Sequence, residues 1–169
     1  MTMKRTIFSL LLALAANTCL MAAIEEGKTY SIALGSNTRK SLMVYNSVKS
    51  GTADLALWTE TDVPSQQWQA IMLDDGTYLL KNVYSGNNIA RMGTLKEGTA
   101  IRIINSSSAT RAAWNISAVE GKSDTYLIYM TSDEGTFYLS TSATTDGTLT
   151  TFSATPREWK FIERENKST

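Results

Sequence analysis

The sequence predicts an all-β chain built from three copies of one unit, and three recurring landmarks carry that prediction. Thr-Tyr occurs at Thr29-Tyr30, Thr77-Tyr78 and Thr125-Tyr126, with the tyrosines 48 residues apart each time. Gly-Thr follows at Gly51-Thr52, Gly98-Thr99 and Gly147-Thr148, and a tryptophan comes near the end of each unit at Trp68, Trp114 and Trp159. Three landmarks in one order, three times over, mark an internal repeat. The units span about residues 28–75, 76–123 and 124–165.

Each unit reads as four short strands. In the first, Tyr30/Ile32/Leu34, Leu42/Val44, Ala53/Leu55/Leu57 and Trp68/Ala70/Met72 alternate with polar neighbours, the period-2 pattern of half-buried strands. The second repeats it with Tyr78/Leu80, a strand around Ile89, the run Ala100–Ile104, and Trp114/Ile116/Ala118. The third gives Tyr126/Ile128/Met130, Phe137–Leu139, Leu149–Phe152 and Trp159/Phe161. Turn signals separate them, at Asp74-Asp75-Gly76, Ser85-Gly86-Asn87, Lys96-Glu97-Gly98, Glu120-Gly121-Lys122 and Asp146-Gly147. About twelve strands result. One such unit cannot bury both of its faces, and three close most simply as a threefold barrel with a hairpin cap, which also removes exposed sheet edges.

Ahead of the repeats, Lys4 and Arg5 precede an apolar run from Ile7 to about Ala16 and then Ala22 and Ala23, the order of a secretory signal peptide over residues 1–23. The run is too short to span a bilayer. Lipid anchoring at Cys19 is the alternative, with Thr18 a poor residue to precede a lipidated cysteine. The remainder, 24–169, has the length of one domain. Without Lys4 and Arg5 it holds 14 basic and 16 acidic residues, which argues against a nucleic-acid partner, because phosphate binding needs a clustered basic surface. Cys19 is the chain's single cysteine, so no disulfide staples the fold.

Histidine is absent, which removes the commonest general base and metal ligand. A mechanism using carboxylates alone survives that cut. Its candidates are Glu25–Glu26, Asp74–Asp75 and Asp133–Glu134, and acids beside a turn glycine are explained by backbone preference. The expectation is no enzyme, no cofactor and no metal. The sequons at Asn105, Asn115 and Asn166 matter only in a eukaryotic secretory pathway.

Two further motifs resemble the ricin-type β-trefoil lectins, whose repeats end in Gln-x-Trp and carry a Ser-Gly-x-x-Leu-Asp-Val segment near their middle. Gln66-Gln67-Trp68 fits the first motif fully, while Ala112-Ala113-Trp114 and Arg157-Glu158-Trp159 keep only its tryptophan. Ser85-Gly86-Asn87-Asn88-Ile89-Ala90-Arg91 fits the second in its Ser-Gly and apolar positions. The resemblance covers residues 28 to about 163 and implies a β-trefoil in which Trp68, Trp114 and Trp159 are core residues. It also implies carbohydrate as partner, held by the motif's Asp, a stacking aromatic residue and an amide near Gln-x-Trp. Carried over, those positions are Met43, Trp58 and Gln66 in the first repeat, and Ala90, Asn105 and Ala112 in the second. In the third they are Ser140, or Leu139 if the alignment slips by one, with Phe152 two places before the aromatic position.

No repeat keeps the acid, so each loses charge-assisted hydrogen bonds of about 1.5–3 kcal/mol. The first repeat is the best candidate, because Leu55 and Leu57 take the inward phase and Trp58 points outward. The expected ligand-binding set is Trp58, Gln66, Met43 and Asp54, with Tyr45, Tyr84 and Asn105 weaker. The leading function is an exported, non-catalytic carbohydrate-binding module, weak and centred on the first repeat. The alternative is a protein-interaction or inhibitor trefoil whose sugar sites have decayed.

Overall fold

A computed structural model describes residues 24–105 and 108–167; the leader reading, with Cys19, lies outside them. The strands are β1 (Thr29–Leu34), β2 (Asn37–Val44), β3 (Ala53–Thr59) and β4 (Trp68–Met72), then β5 (Tyr78–Asn82), β6 (Asn88–Arg91), β7 (Ile101–Ile104) and β8 (Asn115–Ala118). The third repeat supplies β9 (Thr125–Ser132), β10 (Gly135–Thr141), β11 (Thr150–Ser153) and β12 (Glu158–Arg164). All four predicted strands of every repeat are present.

The first and last strands of each repeat close into a ring. β1 pairs with β4, β4 with β5, β8 with β9, β9 with β12, and β12 with β1. The remaining gap is bridged by Tyr78 and Trp114, whose backbones exchange hydrogen bonds of 2.8 and 2.9 Å. The middle strands form the hairpins β2–β3, β6–β7 and β10–β11. These meet one another through Ala53↔Ile103, Ala56↔Leu149 and Ala100↔Thr151, so the cap closes by threefold contacts as well. The molecule is a β-trefoil.

Inward positions from all three repeats fill one core. Trp68, Trp114, Trp159, Phe152, Leu42, Leu55, Leu57 and Ile89 are fully buried, and Tyr30 and Tyr126 pack against Phe161 at 5.6 and 5.1 Å. The period-2 reading overshoots at strand ends: Met72 and Leu149 are 51% and 48% exposed, and Ala100 and Ala118 are exposed too. The alternation continues there after the neighbouring layer has ended. Three short elements were not anticipated: the helix α1 (Ala109–Ala112), which packs on β6, and single 3-10 turns at Tyr45–Ser47 and Pro64–Gln66.

Candidate functional site

One hydrogen bond recurs in every repeat and aligns the three candidate sites. The indole Nε1 of Trp68 donates to the Leu42 carbonyl at 3.1 Å, that of Trp114 to Ile89 at 2.8 Å, and that of Trp159 to Leu139 at 2.9 Å. The next residue in each case, Met43, Ala90 or Ser140, therefore holds the acid position, and Leu139 does not. Cross-strand register carries the alignment further, because Leu42 faces Leu57, Ile89 faces Ile103, and Leu139 faces Phe152. The residues equivalent to Trp58 are then Ile104 and Ser153. This corrects the sequence alignment, which put Asn105 in the aromatic position and placed Phe152 two residues before it; loop lengths differ between repeats, and only pairing fixes the count.

In the first repeat the amides are used internally. Gln66 is fully buried; its Nε2 donates to the Thr59 carbonyl at 2.9 Å, and its Oε1 accepts from the Thr61 N–H and hydroxyl, both at 2.9 Å. Gln67 is buried beside it and ties the C-terminal segment down, donating to the Glu165 carbonyl and accepting from the Lys167 N–H. Lys167 also pairs with Asp62 at 2.7 Å and holds that carboxyl below the usual range, with Gln67 adding a further hydrogen bond. Ser47 and Ser65 share a hydrogen bond at 3.1 Å over the same region. Met43 is 9% exposed. Of the other expected ligand residues, Met43 lies diagonally across from Trp58 on the same face of the β2–β3 hairpin, and Asp54 is remote. Asp54 lies on Trp58's face of β3 but about 13 Å away along the strand, ion-paired with Arg102 at 2.7 Å.

Trp58 itself is partly exposed, as its outward phase requires. Tyr45 meets it edge-on at 5.9 Å, and Gly147 of the third repeat sits against both rings: a Cβ there would lie 3.7 Å from Trp58 and 3.9 Å from Tyr45. Gly147 has φ +82°, which favours glycine at this turn. Its neighbour Asp146 accepts from Thr59 at 2.9 Å and pairs with Lys40 at 2.6 Å. The Lys40 ammonium, reinforced by Thr59, holds the Asp146 carboxyl below its usual range. A carboxylate therefore stands beside Trp58 although Met43 supplies none. Tyr84 lies under the Lys49 ammonium, 5.4 Å from ring centre, and Asn105 is exposed.

The second repeat has turned the same positions into core. Ala90, Ile104 and Ala112 form an apolar cluster with Leu79, covered by Ile71, Leu73 and Met92. Helix α1 presents Ala112 to it. Ala90, Ile104 and Ala112 themselves carry no polar side chain to grip a hydroxyl.

The third repeat keeps an open cleft of about 600 Å³ at these positions, lined by Ser140, Thr141, Ser153, Thr155 and Arg157. Arg157 replaces the motif's Gln and donates from Nη2 to the Thr141 carbonyl at 2.6 Å and from Nε to Ser140 Oγ at 3.4 Å. One rim is the β1–β2 turn, held tight because Gly35 donates to the Glu158 carbonyl at 2.9 Å and a Cβ on Gly35 would strike Glu158 at 2.9 Å. Lys122 pairs with Glu158 at 2.7 Å on the other. The expected set did not include Arg157, Ser153, Thr141 or Asp146; for Arg157 the signal was present, since it sits two residues before Trp159. The carboxylate pairs Glu25–Glu26, Asp74–Asp75 and Asp133–Glu134 are exposed, and Asp75 is engaged by Thr77. Among the described residues no group of His, Cys, Asp and Glu could hold a metal ion, and no helix is long and apolar enough to cross a membrane.

A family model described as the ricin-type beta-trefoil lectin domain-like family matches residues 20–104. No curated protein matches the chain. Among solved structures, the designed threefold-symmetric protein ThreeFoil is 19% identical with a TM-score of 0.71, over 80% of this chain and 99% of that one. A Macrolepiota procera ricin B-like lectin in complex with lactose is 18% identical with a TM-score of 0.70, over 85% and 100%. An exo-beta-1,3-galactanase from Clostridium thermocellum is 20% identical with a TM-score of 0.72, over 84% of this chain but 31% of that one. At these identities the likeness is one of fold.

Proposed function

Because the chain belongs to the ricin-type beta-trefoil lectin domain-like family, we propose that it is an exported, non-catalytic module that binds carbohydrate weakly, with Trp58 of the first repeat as its stacking surface. The observation that carries this reading is Trp58 itself. It is a large aromatic side chain on the outward phase of β3, left out of the core, with Tyr45 against its edge. A sugar ring offers an apolar face that such an indole covers, and the hydroxyls at its edge need acceptors. Asp146, brought in by the third repeat, supplies one beside Thr59. A shallow site of this kind holds a sugar at about millimolar strength, ~4 kcal/mol. Export rests on the leader-like order of residues 4–23, and the non-catalytic reading on the exposed carboxylate pairs.

A second reading, a protein-interaction or inhibitor trefoil, is favoured by a different observation: Gln66 is sealed inward, and the second repeat's equivalents form apolar core. A glycan array run on the chain from Ile24 beside Trp58→Ala separates the two. The expected result is binding of a defined sugar class by the wild type and its loss in the variant. If neither binds any glycan, the carbohydrate reading is rejected for those glycans and a pull-down for a protein partner follows.

A further inference from the structure

The cleft of the third repeat is built for something other than the surface at Trp58. Its aromatic position is Ser153, so it has no stacking partner, and its acid position is Ser140, so it has no carboxylate to grip hydroxyls. In place of both stands a guanidinium. Arg157 uses Nε and one Nη2 hydrogen on Ser140 and Thr141, and Nη1 meets no acceptor among the described residues. That orientation leaves donors of a planar fork toward the cleft, the geometry that matches a carboxylate. The rim charges do not cancel it, because Glu158 is already taken by Lys122 through both oxygens, at 2.8 and 2.7 Å. Lys122, Arg157 and Glu158 together leave the cleft with one net positive charge.

Around Arg157 the cleft is lined by the hydroxyl-bearing residues Ser140, Ser153 and Thr155. A guanidinium with free N–H groups beside hydroxyl donors and acceptors fits a ligand carrying both a carboxylate and ring hydroxyls.

We propose that the third-repeat cleft binds an acidic sugar, its carboxylate on Arg157 and its ring hydroxyls on Ser140 and Ser153. The assignment rests on the carbohydrate-binding reading and names a ligand class and a place distinct from Trp58. The test is an amide-detected NMR titration of the purified protein with galacturonic acid, with galactose, which carries a hydroxymethyl group where the acid has its carboxylate, and with acetate. Galacturonate should shift the signals of Ser140, Thr141 and Ser153 and bind about tenfold tighter than galactose, as one charge-assisted pair predicts. Added salt should narrow that gap. Arg157→Gln should abolish the preference. If Arg157→Gln does not fold, Arg157→Lys keeps the charge and loses the fork, and an undiminished preference in it overturns the assignment. Galactose bound at Trp58 with no preference for the acid overturns the acidic-sugar assignment and leaves the carbohydrate function standing. Acetate bound as tightly as galacturonate reduces the cleft to an anion site and overturns it as well. Silence with both sugars, in a protein whose tryptophan indole signals show it folded, overturns the assignment together with sugar binding by these monosaccharides.

Discussion

Gln66 and Trp58 illustrate how two residues expected in one site diverge once neighbours are present. A Gln beside a Trp can serve a ligand or a turn equally well, because its amide both donates and accepts. Here all its bonding goes to Thr59 and Thr61, seven and five residues earlier in the chain, and the side chain is fully buried. Gln66→Leu keeps the bulk and strands the Thr59 carbonyl and Thr61 N–H, so it should cost about 1–3 kcal/mol in urea denaturation. Trp58→Ala should instead abolish glycan binding while the chain stays folded, which the array and a far-ultraviolet spectrum together can check. Trp58's orientation was legible, since a period of two forces residue 58 outward when 55 and 57 point in. The destination of the Gln66 amide was not, because nothing in a linear sequence says which backbone groups a loop leaves unpaired.

At the scale of the hairpin elements, the same strand pair has three fates. β2–β3 lies under an amide seal, β6–β7 under an apolar cluster completed by α1, and β10–β11 borders an open polar cleft. Restoring the motif's acid tests this directly. Ala90→Asp buries a carboxylate among Leu79, Ile104 and Ala112 and should destabilise by about 3 kcal/mol or more, with no gain in sugar binding. Ser140→Asp places the same group beside Arg157 at an open cleft and should cost less than about 1 kcal/mol. Thermal or urea unfolding of the two variants decides the matter, and equal costs would contradict the assignment of their environments. Strand existence in all three hairpins was readable from alternation. Helix α1 was not, since four residues carry too little periodicity to register.

At the scale of the whole molecule, long-range ion pairs tie the repeats together: Lys167 to Asp62 and Lys40 to Asp146. Both carboxyls are held below their ordinary range, chiefly by those lysines. A carboxyl that binds protons less readily folded than unfolded contributes stability above the unfolded value, near pH 4, and loses it as pH falls through the lower folded value. Denaturation midpoints should therefore hold from neutrality to about pH 5 and fall below pH 4, by a small amount because both groups are largely solvated. Lys40→Met should reduce the Asp146 share of that acid sensitivity, leaving the part due to Thr59. The repeat, its strands and its three core tryptophans were determined by the sequence alone, because burial imposes a period that local spacing records and a repeat writes three times. Which of the three equivalent sites stays open was decided only by the tertiary structure. The first and third are completed by chain far away in sequence, Glu165–Lys167 and the Gly35 turn of the first repeat, and the second is closed by α1 from within its own repeat. Contacts of that range have no period to leave behind.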